Sequence, residues 1–430
     1  MTTHPTALSN ARLIDPEAGT DTPGTLLIEG GRIKEVLTQD TETPPEFRAR
    51  NLDCRGRCLA PGIVDIGVKV CEPGARHLES YRSAGRAAAA GGVTTMVTRP
   101  DTDPAIDSPE TLEFALRRAG EARVNVLLMA ALTKGRAGRE MAEIGFLADA
   151  GAVAFTDCDA VVQDTKVLAR ALAYAAGLGA LVIGHPQEPV LSDGAAATSG
   201  KFATLRALPA VSPMAERMGL ERDLALVEMT GVRYHADQVT TAAALPALTR
   251  AKAAGLDVTA GVSIHHATLN ALDVADYRTF FKVKPPLRDE DDRQAVIEAL
   301  RDGTIDMIHS MHTPQDEESK RLPFEAAASG AVALETLLPA AMRLHHSEGI
   351  ELPHLWRALS LNPARRLGLE AGRLEPGAPA DLVLFDPDAP FVLDRAELQS
   401  KCKNTPFDGQ RMQGRVLQTW VAGALVHERD

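Results

Sequence analysis

The sequence predicts an α/β fold, a (β/α)8 barrel of the TIM type that carries a small β-sandwich built from both ends of the chain. Three observations predict it. Eight short, β-branched apolar runs recur between about residues 61 and 340, with helical segments between them. That alternation is the pattern of a parallel sheet wound through helices. No glycine-rich dinucleotide fingerprint follows the first run, which weighs against the doubly wound open sheet that is the next alternative. The stretches 1–60 and 370–430 are strand-rich and alike in texture, and neither could bury a core alone. The expected division is therefore a composite sandwich from 1–60 plus 370–430 and a barrel over 61–369.

The elements follow in order. TLLIEGGRIKEVL is two apolar runs around Gly30-Gly31, a hairpin signal. The barrel runs are expected at 62–70, 93–99, 124–132, 152–157, 180–185, 232–238, 257–263 and 305–310. The first, GIVDIGVKV, follows a Pro61-Gly62 turn and stops at Glu72-Pro73-Gly74. It is nearly continuously apolar, as a strand buried on both faces requires. A helix opens at Ser108-Pro109-Glu110, with a serine cap and a proline in its first turn, and stops at Gly120. Others are KVLARALAYAAGLG, DLALVEMTG ending at Gly231, and AVIEALRDG ending at Gly303. The acidic stretch Arg288–Arg293 reads as the solvated start of that last helix. A helical piece at 331–370 is expected to break at Asn362-Pro363.

Composition narrows the partners. Of 430 residues, 45% are apolar and 24% charged, a soluble globular profile. Only 4% are aromatic, so the core must rest on Ala, Val, Leu and Ile. A net charge of −12 argues against nucleic acid and against an anionic membrane surface. The five cysteines are odd in number and form no CxxC pair, which points to reduced thiols and a cytoplasmic protein. No basic, then apolar, leader opens the chain, and no apolar run approaches the roughly 20 residues of a membrane span.

Chemistry in such a barrel lies at the C-terminal ends of the strands. Those ends offer Gly67, Lys69 and Cys71, then Arg99 with Asp101, then Asp157, His185, His235 and Gln238. His265 with His266, and His309, Met311 and His312, complete the set. A hydrolytic zinc needs at least three N, O or S ligands and an open position. Asp157 and His185 read cleanly as ligands. Gln238 and the Met311 thioether are poor ones, and the Lys69 ammonium would repel a dication. Lys69 is expected instead to neutralise Asp157. The remaining histidines read as hydrogen-bonded structural residues. Neither GxSxG nor HExxH occurs.

Over essentially its whole length the chain resembles dihydroorotases of the amidohydrolase superfamily. The resemblance is carried by PGIVDIGVKVCEPG, AAAAGGVTTMVTRPDTDPAIDSPE, GAVAFTD, GHPQEPVL, VSIHHATL, FKVKPPLRDEDDRQAVIEALRDGTIDMI, LNPARRLGL and GRLEPGAPADLVLFDP with the tail SKCKNTPFDGQRMQGRVLQTWVAGALV. It implies a zinc site made by a His-x-His pair, a bridging acid, two more histidines and a catalytic aspartate. Carried over, the pair falls on Gly67 and Lys69, the bridging acid on Asp157 and the next histidine on His185. The following histidine falls on Gln238 and the aspartate on Met311. Substrate-contacting positions fall on Cys71, Asp101, Lys284 and Gln315, all departures from the family pattern, and His266 lies in the same vestigial pocket. Two of six site positions keep a usable side chain.

The resemblance therefore implies a dihydroorotase-like protein of pyrimidine synthesis that is catalytically inactive, binds no metal and acts as a structural partner of aspartate carbamoyltransferase. A homo-oligomer is expected. The rival is a working zinc-dependent dihydroorotase or related cyclic amidohydrolase with an atypical site. A third reading is a binder of a small anion through Lys69, Arg99 and Lys284.

Overall fold

The computed structural model describes residues 5–39 and 41–429. Parallel strands Ile63–Val68, Val93–Thr98 and Asn125–Leu128 pair in sequence. Strands Leu181–Gly184, Arg233–Ala236, Val258–Ser263 and Met307–His309 pair likewise. Phe155 joins the two sets through parallel bridges to Ala130 and Val182. A parallel bridge between Val68 and His312 closes the ring, with Lys69 N–H donating to His312 O at 2.9 Å. The expected run 152–157 thus contributes one bridging residue rather than a strand. Its backbone leaves the extended form at Cys158, which has φ 55°, and the Asp157 carboxylate competes for neighbouring N–H groups.

Helices fall where the sequence caps them. Ser108 and Thr111 exchange side-chain and backbone hydrogen bonds in a capping box at the head of Pro109–Ala119. The helices Met214–Thr230 and Glu290–Asp302 end on Gly231 and Gly303, whose φ values of 69° and 80° suit the left-handed position that closes a helix. Met214–Thr230 begins well before DLALVEMTG because its first turns bury a charged residue, Glu216, which apolar periodicity does not count. The break at Asn362-Pro363 is absent. Leu352–Trp356 continues through a π turn, Arg357–Leu361, into Asn362–Leu367. Pro363 sits in the first turn of that last helix, where its missing N–H costs nothing.

The two ends of the chain meet in one eight-stranded sheet. Its order is Ala424–Glu428, Arg415–Val421, Leu382–Asp386, Cys58–Pro61, Thr6–Asp15, Thr20–Glu29, Arg32–Thr38, with Asn51–Asp53 also beside Thr6–Asp15. Gly30 and Gly31 turn the expected hairpin at φ 58° and 81°, a two-residue loop that both residues can adopt only with positive φ. The far edge comes back to the segment leading into Leu382–Asp386, since Ile33 N–H donates to Ala378 O and Gly377 N–H to Ile33 O. The sandwich faces are thus parts of one curled sheet around Leu8, Leu26, Ile28, Leu59 and Leu382. This sheet is fixed to the barrel by Gly62 N–H on Asp381 O and by Asn125 Nδ2 on Asp381 Oδ2 at 2.7 Å. Trp356 Nε1 and Ser360 Oγ donate to Pro61 O and Gly62 O at the same joint. All five cysteines are buried and unpaired. Among the described residues no helix is long and apolar enough to cross a membrane.

Candidate functional site

The pocket at the C-terminal ends of the barrel strands gathers Lys69, Arg99, Asp101, His185, Gln238 and Lys284. Met311, His266 and Gln315 also line it. These sequence candidates do converge, but few are free to act. Lys69 Nζ lies 3.1 Å from Asp101 Oδ2, and Arg99 Nη2 lies 3.4 Å from the same oxygen. Lys284 Nζ lies 3.1 Å from Asp159 Oδ2, and Arg136 pairs with Asp159 Oδ1. Each cation expected to hold an anion already has a carboxylate.

The expected pairing of Lys69 with Asp157 does not form. Asp157 is buried and accepts from Leu132 N–H, Thr133 N–H and Thr133 Oγ1, so its oxygens are committed to the loop after the third strand. Burial pushes its carboxyl up, against those hydrogen bonds. The acids that line the pocket are Asp101, Asp159 and Asp237. Burial works to raise the Asp159 carboxyl too, but Arg99 and Lys284 outweigh it and hold it below the usual carboxylate range.

His185 is buried with Nε2 unpartnered, and burial pushes its imidazole down to about 4 against the opposite pull of Asp237 and Asp159. It is a neutral base or ligand in wait. Gln238 spends its Nε2 on Lys284 O at 3.2 Å, and Gln315 spends its Nε2 on Ser329 O at 2.8 Å. His266 is held at both nitrogens, by Ser263 Oγ at 2.7 Å and Pro285 O at 3.0 Å. His265 stacks on Phe407, and His312 accepts from Ala333 N–H. Of these three only His266 has both ring nitrogens engaged, since Nε2 of His265 and of His312 is buried without a hydrogen-bond partner. Cys71 lies outside the pocket lining, its thiol pushed up to about 12 by burial.

The residues at the positions implied for the family's zinc therefore do not fit a metal. Gly67 has no donor, Lys69 brings an ion-paired ammonium, Met311 a thioether and Gln238 an engaged amide. The expectation of a metal-free barrel nonetheless does not follow. His235, Asp237 and His309 are all buried, and their ligand atoms lie within 4.8 Å of one another. The sequence singles out both histidines at strand ends but not Asp237, Asp159 or Arg136. His235-Ala236-Asp237 carried a signal, since residues two apart on a strand share a face.

Residues 56–244 match the family described as "Dihydro-orotase-like", and residues 190–427 match the "Amidohydrolase family". A dihydroorotase of Syntrophus aciditrophicus is 38% identical over 98% of this chain and 99% of its own length. One of Anaeromyxobacter dehalogenans is 40% identical over 98% and 97%. A "Dihydroorotase-like protein" of Pseudomonas putida is 38% identical over 98% and 99%. Among solved structures, the L-hydantoinase (dihydropyrimidinase) of Arthrobacter aurescens superposes with a TM-score of 0.88, at 23% identity over 100% of this chain and 96% of that one. That likeness speaks for a shared α/β barrel fold.

Proposed function

The chain belongs to the dihydroorotase family of the amidohydrolase superfamily, and from that membership and the chemistry of its pocket we propose that it serves pyrimidine synthesis without hydrolysing at the family's positions, as a structural partner of aspartate carbamoyltransferase. One observation carries this reading. Where the family needs a histidine pair and an aspartate, this barrel has Gly67 packed on Met311, and a Lys69 ammonium ion-paired to Asp101. Hydrolysis of a cyclic amide needs an activated water and a group to take its proton. A thioether and a paired ammonium supply neither.

A second reading is a working dihydroorotase or related cyclic amidohydrolase with an atypical site. The names of the relatives favour it, and so do the free Nε2 of His185 and the cluster His235, Asp237 and His309. In that reading a metal would supply Lewis acidity, His185 would serve as a neutral base, and Lys69 and Arg99 would exchange Asp101 for the substrate carboxylate.

The two readings separate in one assay. Purified protein is given dihydroorotate or carbamoyl-aspartate, with and without added zinc, and is also mixed with aspartate carbamoyltransferase of the same organism. The first reading expects no turnover and a complex that survives gel filtration. Turnover that His185→Ala abolishes would overturn it in favour of the second.

A further inference from the structure

We propose that the barrel holds a divalent transition-metal ion of the zinc class on His235, Asp237 and His309, a ligand set distinct from the positions at which the family would place its zinc. The proposal rests on the geometry of these three residues and stands whether or not the chain turns over substrate.

His235 and Asp237 lie two apart along and just past strand Arg233–Ala236, so their side chains share the inner face. His309 ends the strand Met307–His309, one position beyond Val258–Ser263 in the ring. His235 Nδ1 is 2.9 Å from Thr259 Oγ1, its register partner on the neighbouring strand. That contact fixes the ring. With Nδ1 donating to the hydroxyl, Nε2 presents its lone pair inward, which is how ligating histidines are oriented.

Three observations point to one shared ligand position. His235 Nε2 and both nitrogens of His309 are buried without any partner. An unpaired buried nitrogen is costly, and three together call for a common acceptor of lone pairs. His309 Nε2 stands 3.8 Å from Asp237 Oδ1, beyond hydrogen-bond reach. Two ligands on one zinc at about 2.1 Å are at most about 4.2 Å apart, so this spacing matches a pair bridged by an ion. Finally, the two Nε2 atoms converge over Gly261. A Cβ there would come 2.4 Å from His309 Nε2 and 3.0 Å from His235 Nε2. A glycine on the strand between them keeps open the volume that both nitrogens face.

Two imidazoles and a carboxylate suit zinc, cobalt or nickel rather than magnesium or calcium, and leave a fourth position open. Asp237 lines the pocket, whereas the two histidines lie behind it. An ion can therefore enter past Asp237.

The test titrates Co2+ into full-length, chelator-stripped protein and follows its visible ligand-field absorption, with thermal denaturation as a second readout. One ion per chain is expected, with a raised melting temperature. His309→Gln and Asp237→Asn should each weaken binding by at least about tenfold, while Lys69→Ala leaves it unchanged. Circular dichroism establishes that each variant is folded, and Asp237→Asn, which keeps shape and removes charge, stands in if His309→Gln is not. No stoichiometric binding by the unaltered protein, or binding undiminished in the folded variants, would overturn the proposal. The turnover assay can fail or succeed without affecting this outcome.

Discussion

Gly67 and Met311 fill each other's space: a Cβ on Gly67 would lie 2.8 Å from Met311 Sδ and 3.1 Å from Met311 N. Two positions that the family gives to a metal ligand and an acid have become one packed contact. Restoring the first alone should fail. Gly67→His must displace a thioether, which can move, and then meets the Met311 backbone and the His309 ring at 3.2 Å, which cannot move easily. The expected cost is about 1–3 kcal/mol, the range for overpacking a dense core. Met311→Ala in the same chain should recover part of it, so that the two changes are non-additive in thermal or urea denaturation. Strict additivity would mean that the two residues do not share the space. Met311 also has φ 48°, a conformation aspartate tolerates better than methionine, so Met311→Asp alone should leave the backbone undisturbed.

The electrostatics of the pocket mouth make a second prediction. Lys69 answers Asp101 rather than Asp157. A double-mutant cycle on Lys69→Ala and Asp101→Asn should give a coupling of about 0.5–1 kcal/mol, modest because the lysine is partly exposed. The cycle of Lys69→Ala with Asp157→Asn should give none. Equal coupling in the two cycles would show that the lysine swings between both acids.

Arg288 is the residue whose sequence reading was furthest from its role. It stands at the head of an acidic run, yet it is 2% exposed and lies 3.1 Å from the wholly buried Glu216. Its other donors reach Thr240 Oγ1 and Thr198 Oγ1, while Glu216 also accepts Thr240 N–H and Thr241 N–H. This network ties the segment after strand Arg233–Ala236 to the helix Met214–Thr230. Removing one partner strands a buried charge, so Arg288→Met should cost about 3–5 kcal/mol in urea denaturation. A loss below about 1 kcal/mol would mean the carboxylate is satisfied by the threonines alone.

The contrast shows what was legible. The strand starts, the helix caps at Ser108, Gly231 and Gly303, and the hairpin at Gly30-Gly31 are local, set by periodicity and by φ preferences of single residues. They were readable in sequence and stand in the structure, except that the run 152–157 forms no strand. That Gly67, Lys69 and Met311 offer a metal no good donor was readable too, because each is a question of which donor atoms exist. What was hidden is which charge meets which. Asp101 lies one strand end from Lys69 and Asp157 and Asp159 lie three, and sequence spacing cannot say that Thr133 claims Asp157 or that Lys284 claims Asp159. The sheet at the chain ends hid its curl for the same reason: it depends on Ile33 meeting Ala378, far apart in sequence.

Acid should unfold this protein earlier than its carboxylates alone require. Burial pushes His185 down to about 4 and His265 and His266 down to about 3. In the unfolded chain each titrates near 6.5. Folded pKa values below the unfolded ones mean that the unfolded chain binds more protons as pH falls. The stability is complete above about 6.5 and is lost progressively down to the folded values. For His185 alone the full effect is on the order of 3 kcal/mol. Between pH 6.5 and 5 ordinary carboxylates remain mostly ionised, so the histidines dominate that window. Urea midpoints should therefore fall steadily from pH 7 to pH 5, and His266→Asn should flatten the slope even if it lowers the midpoint at pH 7. The asparagine removes the titrating group and retains one polar contact near Ser263 and Pro285. A midpoint unchanged from pH 7 to pH 5 would mean that these imidazoles take up protons in the folded protein as readily as in the unfolded chain.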